Sequence, residues 1–281
     1  MNVLDLGLSF LNKQVHAPFV AASVRPLRVR AGATAVVCSL ALGGCELLSG
    51  VQGDADVNLY EGVLQTAVSA ETGGQYGAAV VQYRKLQAKR PDDPAVILGL
   101  ARNLRYTGQA GAAIKMLAIS AGLKTEQPAF LLEAAKAEIA AGTPSRALEY
   151  LVKARFLDDS SWDVHGTMGI AYDMIDAYGD AAAAYARALE RSPANPAVIN
   201  NMAISAALSG DLDRGIEILE GSALTVRRDS QIRQNLALLY GLRGEDEKAR
   251  MLSSLSLEEE DIRNNLSVYS RLRSGARHTN K

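Results

Sequence analysis

Few residues of this chain combine a reactive side chain with a spacing that could support catalysis or metal binding. The two cysteines, Cys38 and Cys45, lie near the start and are too far apart to form a CxxC metal or redox pair. His165 is the one histidine in the middle of the sequence, and packing accounts for it better than catalysis. The sequence also lacks a glycine-rich phosphate loop, an HExxH zinc motif and a GxSxG nucleophile motif. It therefore predicts no catalytic residue, no metal ligand and no cofactor, and an enzyme is the remote alternative.

The segment that ends at Cys45 has the three parts of a secretory signal. Three arginines between residues 25 and 30 precede the uncharged run 31–42. As a helix this run is too short to cross a hydrocarbon core of roughly 30 Å. A basic flank, a short apolar segment and small residues at its end are typical of exported chains. A buried core helix is the alternative, but the run has no polar face.

The tetrapeptide LGGC at 42–45 resembles the lipobox of bacterial lipoproteins. The resemblance implies that residues 1–44 comprise an N-terminal extension and a signal peptide proper at 24–44. Cys45 would then be the acylated first residue of the mature chain, and several acyl chains hold a protein firmly to a membrane. Glu46, where an aspartate often signals retention at the inner membrane, favours the outer membrane facing the periplasm. The glycines and aspartates of 45–59 predict a flexible tether.

The composition favours a helical and nearly neutral protein. The chain has 281 residues, with 30 basic and 31 acidic side chains, and this balance gives no general attraction for nucleic acids. Hydrophobic residues make up 48% of the sequence but aromatic residues only 5%. The apolar content is therefore mostly alanine and leucine, which suits close-packed helices better than a sheet.

A 34-residue period runs through the remainder of the chain. It divides the sequence without a gap into the blocks 60–93, 94–127, 128–161, 162–195, 196–229 and 230–263. The eighth and twentieth positions of every block hold a small residue, which lets two helices approach closely where they cross. These residues are Ala67, Ala101, Ala135, Gly169, Ala203 and Ala237, and Ala79, Ala113, Ala147, Ala181, Gly215 and Ala249. At the fifteenth position five blocks have glycine and the fourth block has Asp176. This predicts that a helix ends in a left-handed turn at this position of every block.

This pattern resembles the tetratricopeptide repeat, a unit of two antiparallel helices. The fourth block matches best, with Gly169, Tyr172, Ala181 and Pro193 at the positions that the family motif specifies. The resemblance implies an all-α fold, a tetratricopeptide-repeat solenoid of about six helix-turn-helix repeats plus a C-terminal capping helix.

The end of the chain departs from the repeat pattern. Residues 256–273 overlap the last block, and their apolar side chains share one helical face, which predicts the capping helix. Ser256 and Glu259 have the spacing of a capping box at its start. Residues 274–281 are expected to form a frayed tail.

In the tetratricopeptide family the inner face of the superhelix is lined mainly by six positions of the first helix. The candidate peptide-binding residues at these positions are Arg102, Arg105, Tyr106, Lys136, Asp173, Asn200, Asn201, Gln234 and Asn235. Their amides offer a donor and an acceptor to an extended peptide backbone. Their basic side chains predict a local basic patch for an acidic segment or a terminal carboxylate. A merely hydrated face is the alternative for any one residue, and Trp162 either covers a helix junction or anchors an interface.

The lipobox, the repeats and the end of the chain together resemble the TadD-type lipoproteins of the Flp/Tad (tight adherence) pilus machinery. Residues 233–250, RQNLALLYGLRGEDEKAR, and 255–273, LSLEEEDIRNNLSVYSRLR, carry this likeness at the end. It implies a pilotin or assembly factor that binds the pilus secretin or another Tad component. Membrane contact would be through the acyl chains, with neither nucleic acid nor a small-molecule substrate. The alternative is another envelope scaffold, for outer-membrane protein assembly or for cell-wall hydrolases.

Overall fold

The computed structural model describes residues 48–222 and 229–279, with side chains from 59 to 222 and from 229 to 274. This part of the chain consists of helices and turns. The helices are α1 (Leu48–Thr72), α2 (Tyr76–Lys89), α3 (Pro94–Tyr106), α4 (Ala110–Ile119), α5 (Ala121–Lys124), α6 (Pro128–Ala140), α7 (Pro144–Leu157), α8 (Trp162–Asp173), α9 (Tyr178–Arg191), α10 (Pro196–Leu208), α11 (Leu212–Glu220), α12 (Ser230–Arg243), α13 (Asp246–Ser253) and α14 (Glu259–Thr279). None of them has both the length and the apolar character needed to span a bilayer. The predicted signal peptide and the lipidation site at Cys45 lie outside the described residues.

The helices recur with the period of the sequence. First helices α3, α6, α8, α10 and α12 begin at residues 94, 128, 162, 196 and 230, and second helices begin at 76, 110, 144, 178, 212 and 246. Both series advance by 34 residues. The predicted all-α solenoid of six helix pairs with a helix at its C-terminal end is therefore confirmed.

The small residues at the eighth and twentieth positions lie where the helices cross. All twelve are buried, and each of the ten alanines among them has an exposed fraction of 0%. Glycine is required rather than alanine at Gly169, because a Cβ atom there would overlap the ring of Tyr185. The predicted left-handed turns are also present, with φ between 72° and 97° at the five glycines of the fifteenth position and 58° at Asp176.

In four of the blocks the last residue caps the first helix of the next block. The side chains of Asp93, Ser161, Asn195 and Asp229 each accept hydrogen bonds from backbone N–H groups in the first turn of the following helix. These groups have no partner within the helix, so the caps stabilise each start by about 1 kcal/mol. These capping residues occupy the same position of the 34-residue period, which the second block fills with Gln127, whose side chain does not cap α6.

The first helices form the inner layer of the superhelix. Each of α3, α6, α8 and α10 contacts the next first helix along the chain as well as its own partner, whereas neighbouring second helices contact one another less. Helices that lie closer together occupy the inside of a curved array. The side chains of the first helices that point away from the second helices therefore line the concave surface.

The flexible tether expected at 45–59 is wrong for residues 48–59, which form the first turns of α1. The stretch from 48 to 72 contains no proline. Because propagation adds a hydrogen bond for each residue ordered, a helix nucleated in the first repeat extends toward the N-terminus at little cost.

The prediction of a capping box is also wrong, and the prediction of a frayed tail is wrong for residues 274–279. The helix α14 begins at Glu259, and the backbone N–H groups of Ser256 and Leu257 still donate to Ser253 at the end of α13. The Ser256 hydroxyl instead accepts a hydrogen bond of 2.7 Å from Arg233. The helix then continues to Thr279 rather than ending before residue 274, because no proline or competing turn interrupts it.

Candidate functional site

A groove runs along the concave surface over five consecutive first helices. It has a volume of about 230 Å³, and its walls come from α3, α6, α8, α10 and α12 together with Asp229, which directly precedes α12. Because each helix belongs to a different repeat, the groove exists only when the repeats stack in register.

Five of the nine predicted binding residues line this groove. They are Arg105, Tyr106, Lys136, Asn200 and Asn201. The remaining four, Arg102, Asp173, Gln234 and Asn235, do not line it. The family positions therefore place about half of the candidate side chains at the groove.

The predicted basic patch is wrong, because each of its cations is neutralised by a carboxylate of a neighbouring repeat. Arg102 contacts Glu71 at 2.7 Å, Arg105 contacts Glu133 at 3.0 Å, and Lys136 contacts Asp163 at 2.6 Å. Burial lowers the pKa of Arg105, but the Glu133 carboxylate outweighs this effect and leaves the pKa above its ordinary value.

Asp173 joins three helices. Its carboxylate accepts hydrogen bonds from Tyr185 on α9 at 2.7 Å and from Ser205 on α10 at 2.6 Å. Burial raises the pKa of Asp173 to about 6, although both hydrogen bonds lower it. Asp173 therefore connects the fourth and fifth repeats through its side chain.

The amides of the last two repeats lie partly beneath the groove surface. Asn235 is 2% exposed and donates to the Oδ1 atom of Asn200 at 2.6 Å. Asn201 lines the groove, and its side chain forms no hydrogen bond with residues 48–222 or 229–279. The Nε2 atom of Gln234 is buried and likewise has no hydrogen-bond partner within the described chain. Asn201 is thus the amide best placed to reach a ligand.

Trp162 is the most conspicuous groove residue missing from the predicted binding set. It is the first residue of α8, lines the groove and remains 38% exposed. Asp163, Thr167 and Ile170 of the same helix, and Gln231 of α12, also line it. These four occupy the family's positions two, six and nine, so the same positional rule would have found them if it had been applied to every block.

Tyr106 and Arg105 form the wall at the N-terminal end of the groove. The ring of Tyr106 lies 4.6 Å from that of Tyr76, centroid to centroid, and the Arg105 guanidinium carbon lies 4.4 Å from the Tyr106 centroid. Stacking and the cation–π contact fix both side chains, so this wall is preformed.

The structure agrees with a packing role for His165, which is 1% exposed with its Nε2 atom 3.0 Å from the backbone carbonyl oxygen of Asp159. Within the described residues, no three His, Cys, Asp or Glu side chains come close enough together to hold a metal ion.

Comparisons with known proteins identify the fold. No family model and no curated protein matches the chain. A thermophilic tetratricopeptide-repeat protein of Thermus thermophilus is 19% identical, with a TM-score of 0.59 over 64% of this chain and 98% of that one. PilW, described as a widely conserved type IV pilus biogenesis factor, is 16% identical, with a TM-score of 0.59 over 70% and 91%. A chain of the Cut9–Hcn1 hetero-tetramer of the APC/C is 16% identical, with a TM-score of 0.62 over 75% of this chain and 42% of that one.

The likeness in each case extends over most of the helical repeats. The described part of the chain has the fold of a tetratricopeptide-repeat solenoid. The evidence is the recurrence of helix pairs every 34 residues, the small residue at each crossing and the likeness to these solved structures.

Proposed function

We propose that this protein is a non-enzymatic scaffold that binds another polypeptide along its concave groove. The observation that carries the proposal is the continuity of the groove across the first helices of five repeats. Such a length suits an extended segment, which contacts successive helices in turn. The tetratricopeptide fold supports the same function, since it presents an extended concave binding surface.

The cellular role we propose is that of a pilotin or assembly factor for a Flp/Tad pilus. The lipobox resemblance at Cys45 and the TadD-like end of the chain support this role. The structural likeness to PilW, a pilus biogenesis factor, is a further reason to test it. The protein would be anchored through acyl chains on Cys45, face the periplasm at the outer membrane, and hold a pilus component such as the secretin.

The test is co-purification from envelope extracts with a tagged full-length chain, followed by mass spectrometry. Asn201→Arg places a long charged side chain in the groove, whereas Ala183→Arg places the same side chain on the exposed side of α9. The parent and Ala183→Arg are expected to retain the same partner, including a pilus component, and Asn201→Arg to lose it.

Two outcomes would contradict different parts of the proposal. Equal recovery of the partner with Asn201→Arg would exclude the groove as the binding surface. Recovery of outer-membrane assembly factors or cell-wall hydrolases instead of pilus components would retain the scaffold and assign it to the alternative envelope role.

A further inference from the structure

We propose that the groove selects an uncharged, extended polypeptide segment that places one apolar side chain against Trp162. This inference rests on the proposed function and names the chemical class of the segment that the groove binds. The sequence alone predicts an acidic ligand, whereas the structure favours a neutral one. The reasons are the charge balance of the groove, its exposed tryptophan and its unpaired amide.

The ionisable side chains that line the groove balance one another. Arg105 and Lys136 are the basic ones, and Asp163 and Asp229 are the acidic ones. Lys136 is paired with Asp163 across the groove wall, while Arg105 is paired with the buried Glu133 behind it. Asp229 caps α12 by accepting from two backbone N–H groups.

An acidic ligand would therefore meet cations whose charge is already compensated by a carboxylate. The Arg105 side chain is only 14% exposed, so it offers little surface to a second carboxylate beside Glu133. Asp163 and Asp229 would also repel an incoming carboxylate. A neutral segment meets none of these costs.

Trp162 is the most exposed of the large apolar side chains that line the groove. Ile139, Val198 and Ile232 line the wall but are at most 5% exposed, so they offer little surface to a ligand. Tyr106 and Ile170, which also line the groove, are half-buried, whereas Trp162 is 38% exposed and offers the largest accessible apolar surface. A tryptophan flanked by buried aliphatic side chains is the kind of site that anchors one apolar side chain of a partner.

The amide groups supply the complementary polar contacts. The Asn201 side chain has no partner among the described residues and so offers both a carbonyl acceptor and two N–H donors. Main-chain carbonyl and N–H groups of an extended segment are uncharged and match this pair. Trp162 then binds a side chain of the segment and Asn201 binds its backbone.

The test begins with a random twelve-residue peptide library displayed on phage and selected against the full-length chain. Selected peptides are expected to share an aromatic or aliphatic residue at one position and to show no enrichment in aspartate or glutamate over the unselected library. The consensus is then synthesised with both ends blocked. Because Trp162 is the only tryptophan in the chain, its emission reports directly whether the peptide binds in the groove.

Matched variants separate the contribution of Trp162 to peptide binding from any contribution to folding. Trp162→Ala is expected to weaken binding of the consensus peptide at least tenfold by calorimetry, with an unchanged helical circular dichroism spectrum. Phe156→Ala removes another exposed aromatic side chain, on α7 and outside the groove, and is expected to leave the affinity unchanged. Alanine at the apolar position of the peptide should reduce the affinity by the same factor as Trp162→Ala in the protein.

The outcomes distinguish this inference from the proposed function. Selection of acidic peptides that still perturb Trp162, or binding that requires a free terminal carboxylate, would overturn the neutral class but keep the groove. Peptides that bind Trp162→Ala and Asn201→Arg as well as the parent would overturn the groove itself. Failure to enrich any peptide would count against the inference, whereas co-purification from envelope extracts would still test the scaffold.

Discussion

At Gly215 the chain has no room for one additional methyl group. A Cβ atom at this position would lie 2.6 Å from the backbone carbonyl oxygen of Ala203 and 3.2 Å from Leu239. A carbonyl within a packed helix cannot move aside as the end of a side chain can. The glycine therefore sets the closest approach of α11 to α10 in the fifth repeat.

We expect Gly215→Ala to lower the free energy of unfolding by about 1–3 kcal/mol, because overpacking outweighs the better helix propensity of alanine. Gly179→Ala is the matched control in α9, since a Cβ atom there would meet nothing within 4 Å. It should be neutral or stabilise the protein by up to about 1 kcal/mol. Urea unfolding followed by circular dichroism measures both, and equal midpoints for the two variants would contradict the close approach.

Asp173 connects two repeats, and the free energy of burying its carboxyl group depends on pH. Its folded-state pKa of about 6 lies above the ordinary value of 3.8. Between these two values the folded chain binds a proton that the unfolded chain releases, so this group makes the protein more stable as the pH falls from about 6 to about 4. Above pH 6 the carboxylate is ionised in both states and its burial is least favourable.

The substitution Asp173→Asn keeps an acceptor oxygen and removes the charge. We expect it to raise the melting temperature at pH 7.5 and to remove the part of the pH dependence between about 6 and about 4 that Asp173 contributes. The exposed Asp180→Asn on α9 is the control for removing one negative charge from the same helix pair. Parallel curves of melting temperature against pH for the parent and Asp173→Asn would refute this assignment.

At the scale of the elements, the helix pair is the unit that the period repeats. Ala181 in α9 is 0% exposed and packs with Tyr185, Ala188 and Val198, while its neighbour Ala182 is exposed. The two alanines differ by about 100° around the helix, and this rotation decides which of them tolerates a larger side chain.

We expect Ala181→Leu to reduce the free energy of unfolding by about 1–3 kcal/mol, since the added atoms must displace the crossing helix. Ala182→Leu should change it by no more than about 0.5 kcal/mol. Chemical denaturation of the two variants side by side is a direct test of the register, because a shift of one residue would exchange their effects.

The last helix, α14, covers the open end of the sixth repeat. Arg273 contacts both oxygens of Asp246, at 2.7 and 3.0 Å, and Tyr269 is 4% exposed against Gly241. A bidentate pair fixes orientation as well as distance. These contacts hold the terminal helix against the sixth repeat.

At the scale of the whole molecule, the anchor and the groove serve one proposed purpose. Membrane attachment through Cys45 would concentrate the groove at the surface where a pilus component arrives. Attachment of this kind is a property of a single thiol, so it can be removed without touching the repeats.

We expect Cys45→Ser to move the protein from the membrane fraction to a soluble or uncleaved form, and to abolish incorporation of labelled palmitate. Cys38→Ser is the control: Cys38 belongs to the signal peptide proposed to be removed, so this variant should remain membrane-bound and labelled. Unchanged fractionation of Cys45→Ser would contradict the anchor while leaving the groove untested by that experiment.

The sequence by itself determined the fold class, the 34-residue register and the left-handed turns. These features depend on interactions within one helix pair, such as a small side chain at a crossing or a glycine at positive φ. The sequence did not predict the additional turns of α1 and α14. Helix ends depend on small differences in the free energy of adding one residue, and residue types alone do not reveal these differences.

Only the tertiary structure decided the electrostatics of the groove. Arg102, Arg105 and Lys136 find their carboxylates 31, 28 and 27 residues away, on helices of neighbouring repeats. The Coulomb interaction depends on distance in space and on burial, not on separation along the chain. Side chains that suggest a basic patch in the sequence therefore become a neutral surface once the repeats stack.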